Sequence, residues 1–267
     1  GNRDVSAPLL FSDEPAPVMV ENQSGISPFL ILCDHGGKRI PRQLGDLGLP
    51  QHEIDRHIGW DLGVLTVSRH MSRLLNAPLV HQIYSRLVID CNRQPGIPSS
   101  IPEVSEATTI PGNIGLTQQE RDQRRDEIFT PYHDAIRAIL TERKKHGIPT
   151  CILAMHSFTP VYHGESRPWE IGVLYQHQAE YALTVLERLK QTRRWCVGDN
   201  LPYSVSDVTD YAVPQHAIKN ELPYVEIEIR QDLITEPEGQ RTWAEDLAQI
   251  FTDSWAILTS QQYKKEA

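Results

Sequence analysis

Pro28–Gly37, PFLILCDHGG, is an apolar run of strand length that stops abruptly at an aspartate, a histidine and two glycines. Pro28 to Cys33 suit a fully buried strand, and the glycines let the backbone turn sharply and bring a ligand close to it. Asp34–Gly37 is then a strand-end loop. In an open α/β sheet ligands gather at the carboxyl ends of strands, so a histidine placed there is a candidate for chemistry. The structural alternative for His35 is a histidine hydrogen-bonded at the end of a strand. Thr150–Met155 is a second run of the same kind, and it ends in His156-Ser157. Two strands thus deliver histidines at their carboxyl ends.

A chain of 267 residues with no Gly/Ser linker and no charge block reads as an arm over residues 1–27 followed by one α/β domain over 28–267. The arm is rich in Pro, Ser, Asp and Glu, has no periodicity and is expected to be extended or partly ordered. Hydrophobic residues at 39% and charged residues at 23% describe an ordinary globule. No run is long enough to cross a membrane and no basic-then-apolar leader opens the chain, so the expected compartment is the cytoplasm. Twenty-six basic against 35 acidic side chains give a net charge of −9. With no Lys/Arg cluster, no nucleic-acid face is expected, and an anionic substrate would need local arginines. Cys33, Cys91, Cys151 and Cys196 lie in or beside apolar runs without CxxC spacing, which fits buried reduced thiols.

Beyond the first strand, Pro50-Gln-His-Glu-Ile-Asp opens a short helix and Asp61–Leu75 has the spacing of a second, with Asp61 near its start. Leu79–Ile83 and Arg86–Cys91 are expected strands. Gln94–Gly115, with prolines at 95, 98, 102 and 111, is expected to be a loop over the site. Thr117-Gln-Gln-Glu120 is a capping box for a helix that runs to Gly147, bent at Pro131. Weaker strands are expected at Ile171–Tyr175 and Trp195–Val197, with a helix near His177–Thr192 between them. His216 falls in a short helical piece, and Gln240–Leu258 is an amphipathic helix against the sheet. Tyr224–Arg230 alternates: Val225, Ile227 and Ile229 face one way, Glu226, Glu228 and Arg230 the other.

A catalytic zinc commonly takes three nitrogen or oxygen ligands and leaves a position for water, whose pKa then falls toward about 7. His35 and His156 supply two such ligands. Asp61, in His57-Ile-Gly-Trp-Asp61, is the chosen carboxylate because glycine and tryptophan before it suggest a shaped turn; its structural alternative is a helix N-cap. There is no GxSxG elbow, HExxH helix or Gly-rich phosphate loop.

SRLVIDCNR at 85–93, together with ILCDHGG, HIGWDLG, TTIPGN at 108–113, LAMHSFTP at 153–160, RPW at 167–169, DNLPYS at 199–204 and EIEIRQDL at 226–233, resembles the N-formylglutamate amidohydrolase family from about residue 28 to 235. That family is related to the zinc carboxypeptidases and aspartoacylases. The resemblance implies their phosphorylase/hydrolase-like fold, a three-layer α/β/α single domain with a mixed, largely parallel sheet and a metal at the strand ends. It implies Zn2+, or another divalent ion such as Co2+, as cofactor. The implied substrate is a small N-acyl amino acid, most directly N-formyl-glutamate, a step of histidine degradation. Matched by motif, His35 and His156 become metal ligands, Asn92-Arg93 a carboxylate clamp and Glu228 the general base, with Glu226 left as an exposed or supporting charge. Position 38, where the relatives' His-x-x-Glu pattern puts a carboxylate, is Lys38, so Asp61 is assigned as third ligand. Arg86, Arg167 and His216 complete the candidate substrate contacts; Arg86 and Arg93 have the alternative of pairing with Asp90 or nearby acids, and His216 and Arg167 that of supporting the site from behind or of lying on the surface. A hydrolase of another N-acyl amino acid, or a metal-containing binder without turnover, would use the same parts. Association into a homo-oligomer is compatible with the sequence.

Overall fold

The computed structural model describes residues 3–266. In chain order its strands are β1 (Val18–Glu21), β2 (Phe29–Cys33), β3 (Leu79–Gln82), β4 (Val104–Ser105), β5 (Thr108–Thr109), β6 (Cys151–Phe158), β7 (Val161–Tyr162), β8 (Glu165–Ser166), β9 (Ile171–Leu174), β10 (Val197–Asp199) and β11 (Tyr224–Arg230). The helices are α1 (Gln51–Asp55), α2 (Val64–Leu75), α3 (Gln118–Arg124), α4 (Thr130–Lys145), α5 (Glu180–Gln191) and α6 (Pro237–Glu266). Seven strands form one sheet in the order β1-β3-β2-β6-β11-β9-β10, while β4–β5 and β7–β8 are two small separate ribbons. All neighbours in the large sheet are parallel except β1 with β3 and β11 with β9.

The apolar runs become the inner strands because a parallel sheet is covered on both faces. Alternate residues divide between two cores. Ile31, Leu153, Met155, Val225, Ile227 and Ile229 meet α2, α5 and α6 on one face. Leu30, Leu32, Ile152, Ala154 and Tyr224 meet Ile54 of α1 and Tyr132, Ile136 and Ile139 of α4 on the other. The architecture is the expected three-layer α/β/α domain with a mixed, mostly parallel sheet. No helix among the described residues is long and apolar enough to cross a membrane.

Five expectations are corrected. The N-terminal stretch is not separate from the sheet: β1 is its edge strand and Leu9 is fully buried. Arg86–Cys91 is not a strand. The flanks of β3 are already taken by β1 and β2, and the carbonyls of Leu87 and Val88 are met by the side chains of Asn113 and Arg124. The helix capped by Thr117 and Glu120 has its box, but it is interrupted by a π turn over Arg125–Phe129, just before Pro131. Proline removes a backbone donor and crowds the preceding turn, which a widened turn accommodates. The strand expected at Trp195–Val197 lies at Val197–Asp199. Cys196 is exposed, unlike the buried Cys33, Cys91 and Cys151.

Candidate active site

Three segments converge at the carboxyl ends of β2, β6 and β11. Strands β2 and β6 are parallel neighbours with Leu32 opposite Ala154, which brings the Asp34-His35 turn beside His156. Gly37 lets that turn run close under the next segment, since a Cβ there would lie 2.1 Å from the carbonyl oxygen of Ile83. The Asp61 turn is tied to it by the Asp61 N–H, which donates to the His35 carbonyl at 2.8 Å, and by the Ser157 hydroxyl, which donates to the Leu62 carbonyl at 2.8 Å. Gly59 is required before it, because a Cβ would meet the Ile54 carbonyl oxygen at 2.0 Å. Asp61 is not the helix cap; Gly63 holds that position of α2.

The result is a cluster of buried His35, Asp61 and His156 whose donor atoms all lie within 4.8 Å of one another. Nδ1 of His35 stands 3.4 Å and Nδ1 of His156 3.1 Å from the same Asp61 oxygen. Nδ1 of His35 has no hydrogen-bond partner among the described residues. Ligand atoms about 2.0–2.2 Å from a tetrahedral ion sit roughly 3.3–3.6 Å from each other, so the spacing suits a divalent cation. Carboxylates stand on the far side of each ring: Asp90 takes Nε2 of His35 at 2.6 Å, and Glu226 lies 3.5 Å from Nε2 of His156. Such partners fix ring orientation and strengthen a metal ligand. The donor set therefore fits a metal ion. Lys38 points away, pairing with Asp55 at 2.9 Å over the ring of Trp60.

Burial opposes every charge here, so the pKa directions show which neighbours win. Burial and the Arg86 charge push His35 down, yet Asp90 and Asp61 lift it above its ordinary range. Burial likewise acts against His156, but Asp61 and Glu226 hold it well above. Burial favours a neutral Asp61, and the two histidines outweigh it and keep the group ionised. Asp90 is held well below the carboxylate range by Arg86 and His35 despite its burial. Glu228 goes the other way: burial, with Asp61 and Glu226 nearby, raises it well above the usual value against the pull of His156.

A cavity of about 610 Å³ opens over this cluster. His35, Asp61, His156, Arg86, Asn92, Arg93 and Glu228 all line it. Glu228 is opposite His156 in the β6–β11 register, and its buried Oε2 has no partner among the described residues. Glu226 is buried at 2% exposure rather than exposed, wedged between His156 and Asp210. Arg86 pairs with Asp90, Nη2 at 2.8 Å and Nε at 3.1 Å, which is the structural alternative considered for it, while its Nη1 lies 3.6 Å from Asp61. Asn92 is occupied as well: its amide donates to Asp210 at 3.1 Å and accepts from the N–H groups of Tyr211 and Ala212. Arg93 uses Nη1 on the carbonyls of Asn92 and Thr209 and makes no ion pair with Asp90. Arg167 sits at the rim among Phe158, Tyr162 and Tyr203. His216 is not brought to the cavity; it is buried against His133 on the other side of the Cys91-Asn92 turn.

The cavity residues outside the sequence assignment include Asp210, Tyr203, and the pair His57 and Glu106, 2.6 Å apart, from the α1–α2 turn and the β4–β5 ribbon. Burial and Glu226 raise Asp210 to about 8. Tyr203 lay in a quoted motif, DNLPYS, while Asp210 ends a polar loop with no periodicity to mark it. A larger groove of about 770 Å³, between the proline-rich loop and α3, holds none of these groups.

The sequence matches the N-formylglutamate amidohydrolase family over residues 27–235. No curated protein matches the chain. Among solved structures, a gene product of Agrobacterium tumefaciens is 36% identical, with 94% of this chain and 99% of that one covered and a TM-score of 0.91. The N-formylglutamate amidohydrolase of Ralstonia eutropha shares the fold at 18% identity, covering 92% of this chain and 100% of that one with a TM-score of 0.65. With the family match extending over the strands, turns and cavity just described, the chain belongs to the N-formylglutamate amidohydrolase family.

Proposed function

We propose that the chain is a zinc-dependent amidohydrolase that releases formate from N-formyl-glutamate, with cobalt able to replace zinc. The observation that carries this reading is the convergence of His35, Asp61 and His156, their donor atoms within 4.8 Å, in one cavity with the buried Glu228. His35, Asp61 and His156 would hold a divalent ion, which would supply Lewis acidity for the amide carbonyl and for water near neutral pH. Glu228 takes the water proton and returns it to the leaving nitrogen, a role suited to a carboxyl whose pKa is raised by burial. Asp90 and Glu226 hold the two imidazoles in orientation, and Arg86, fixed on Asp90, presents positive charge beside Asp61. Arg93 receives the substrate α-carboxylate with the part of its fork not engaged on backbone carbonyls. Asn92 acts by holding the 210–212 segment in place rather than as half of a clamp.

Metal content and formate release from N-formyl-glutamate test the reading together. Turnover that follows zinc occupancy supports it. Metal without turnover of any N-acyl amino acid makes the chain a binder, and faster turnover of a longer N-acyl group makes it a deacylase of another substrate. Arg93→Ala should lower kcat/KM by roughly thirtyfold to a thousandfold on N-formyl-glutamate and much less on its α-amide; equal losses would make Arg93 structural.

A further inference from the structure

His57 and Glu106 line the cavity and take no part in the mechanism above. His57 stands on the turn between α1 and α2, the same turn that carries Asp61. Glu106 stands at the tip of the β4–β5 ribbon with φ at 53°, a left-handed backbone that glycine or asparagine takes more cheaply, and its side chain is engaged on three sides. Nε2 of His57 lies 2.6 Å and Nη1 of Arg56 3.7 Å from its Oε1, and the His163 N–H, from the tip of the β7–β8 ribbon, donates to its Oε2 at 3.3 Å. Burial acts against the Glu106 charge, but the His163 N–H and His57 outweigh it and hold the carboxyl below its ordinary range. Nε2 of His57 and Oε1 of Glu106 are buried and have no other hydrogen-bond partner among the described residues. A carboxylate can only accept, so it holds the ring proton on Nε2 and leaves Nδ1 as an acceptor. Burial, with Arg56 and Arg86 nearby, keeps His57 below its ordinary range against the pull of Glu106, so the imidazole is neutral near pH 7. The side chain keeps 19% of its surface exposed, and with Nε2 closed off, Nδ1 is the ring nitrogen left open to the cavity. Arg86, whose charge His57 feels, also stands 3.6 Å from Asp61, which puts His57 on the side of the cavity where the donor trio lies. In the proposed reaction the carbonyl oxygen, the water, the α-carboxylate and the leaving nitrogen's proton each have a partner, but the amide N–H has none. A donor taken out of water without an acceptor is costly.

We infer that His57, held in place by Glu106, accepts the N–H of the scissile amide at Nδ1 and so orients the substrate nitrogen for protonation. The inference rests on the proposed amidohydrolase reading and deepens it: the site selects an amide nitrogen that carries a hydrogen, and tertiary N-acyl amino acids are poor substrates. As water adds to the carbonyl carbon the nitrogen turns pyramidal, and an acceptor fixed on its N–H decides to which side the lone pair points. Glu228, reaching in from β11, gives its proton to that lone pair as the C–N bond breaks, while His57 neither gains nor loses a proton.

The test compares N-formyl-glutamate with its N-methyl derivative, which lacks the amide hydrogen, on wild type, His57→Leu and His57→Asn. The wild type should favour the secondary amide, and the ratio of kcat/KM for the secondary over the tertiary amide should fall about ten- to a hundredfold in His57→Leu, through loss on the secondary amide. His57→Asn sets a carbonyl oxygen near the place of Nδ1 and should recover part of the ratio. Glu106→Gln, which no longer fixes the ring proton, should lower the ratio less than His57→Leu does. Equal losses on both substrates in a folded His57→Leu variant, leaving the ratio at the wild-type value, would assign His57 to packing and overturn the inference. Calorimetry on the zinc-loaded protein gives a second reading without turnover. N-methanesulfonyl-glutamate, which offers an N–H that is not cleaved, should bind wild type more tightly than the analogue with a methylene in place of that N–H, and His57→Leu should bind the two alike. Equal binding of the pair to wild type, or binding of neither, overturns the inference. If the wild type cleaves neither formyl substrate, the amidohydrolase proposal fails, while the calorimetric pair still decides whether Nδ1 recognises an N–H.

Discussion

Two pairs of buried histidines lie on the same side of the sheet, each with ring centres 5.1 Å apart, and they are opposites chemically. His35 and His156 are tilted by 60° and ringed by Asp34, Asp61, Asp90 and Glu226. His133 and His216 are stacked at 21° and have neutral partners: Nε2 of His133 donates to the Cys91 carbonyl at 2.7 Å, leaving its Nδ1 to accept from Nε2–H of His216 at 2.8 Å. Burial presses on both pairs. In the first it is outweighed by carboxylates, so the imidazoles sit in negative surroundings ready for a cation. In the second nothing outweighs it; burial, with Arg137 nearby, pushes His216 down to about 3, and burial and His216 push His133 well below its usual value. Two histidines in contact thus do not make a site. The carboxylates behind and between them do.

The largest effect expected is on the first pair alone. Dialysis against a strong chelator should take amide hydrolysis to background, added zinc or cobalt should restore it, and Asp61→Asn should loosen metal retention; full activity in rigorously metal-free protein would end the reading. Replacing Glu228 by Gln should lower kcat by about 10²–10⁴-fold while metal content holds, since glutamine keeps the shape and cannot take a proton. Glu226→Gln should cost less; the reverse order would exchange their roles. Asp90→Asn makes the surroundings of His35 more like those of His133, and zinc affinity measured by competition with a chromophoric chelator should drop about 10–100-fold. An unchanged affinity would mean Asp90 serves Arg86 only.

The smallest effect belongs to the second pair and appears in stability. Unfolded, His216 takes up a proton as pH falls through about 6.5, whereas folded it resists protonation down to about 3. Its contribution is therefore complete above pH 6.5 and drains away as pH falls toward 3, amounting to about 2 kcal/mol between pH 7 and pH 5. His216→Gln keeps a donor for His133 and cannot titrate, so denaturant unfolding at the two pH values should show the acid loss reduced by about that amount. An acid loss equal to that of the wild type would place the sensitivity elsewhere.

The apolar runs at 28–33 and 150–155 and the alternation at 224–230 were legible because a buried strand must be apolar on each covered face and must change character where it leaves the core. Those rules located His35 and His156 at strand ends and put Glu226 and Glu228 on one face of the last strand, where only the family resemblance chose Glu228; the shaped turn before Asp61 was readable from Gly59 and Trp60. Arg86–Cys91 misled because a buried turn can be as apolar as a strand when side chains such as Asn113 and Arg124 satisfy its carbonyls. Asp210 and Glu106 left no pattern, because loops carry no periodicity.

By itself, then, the sequence determined which segments are buried, which end in chemistry and which family they belong to, since these depend on local periodicity and on motifs contiguous in the chain. Only the tertiary structure decided that β6 lies between β2 and β11, putting His156 beside the Asp34-His35 turn and opposite Glu228. It alone placed Asp90 behind His35, occupied Asn92 with a distant loop and set His216 apart from the cavity. These are contacts between residues far apart in sequence. They follow from strand order and from competition among neighbours for each polar atom, and neither is written in any single stretch of chain.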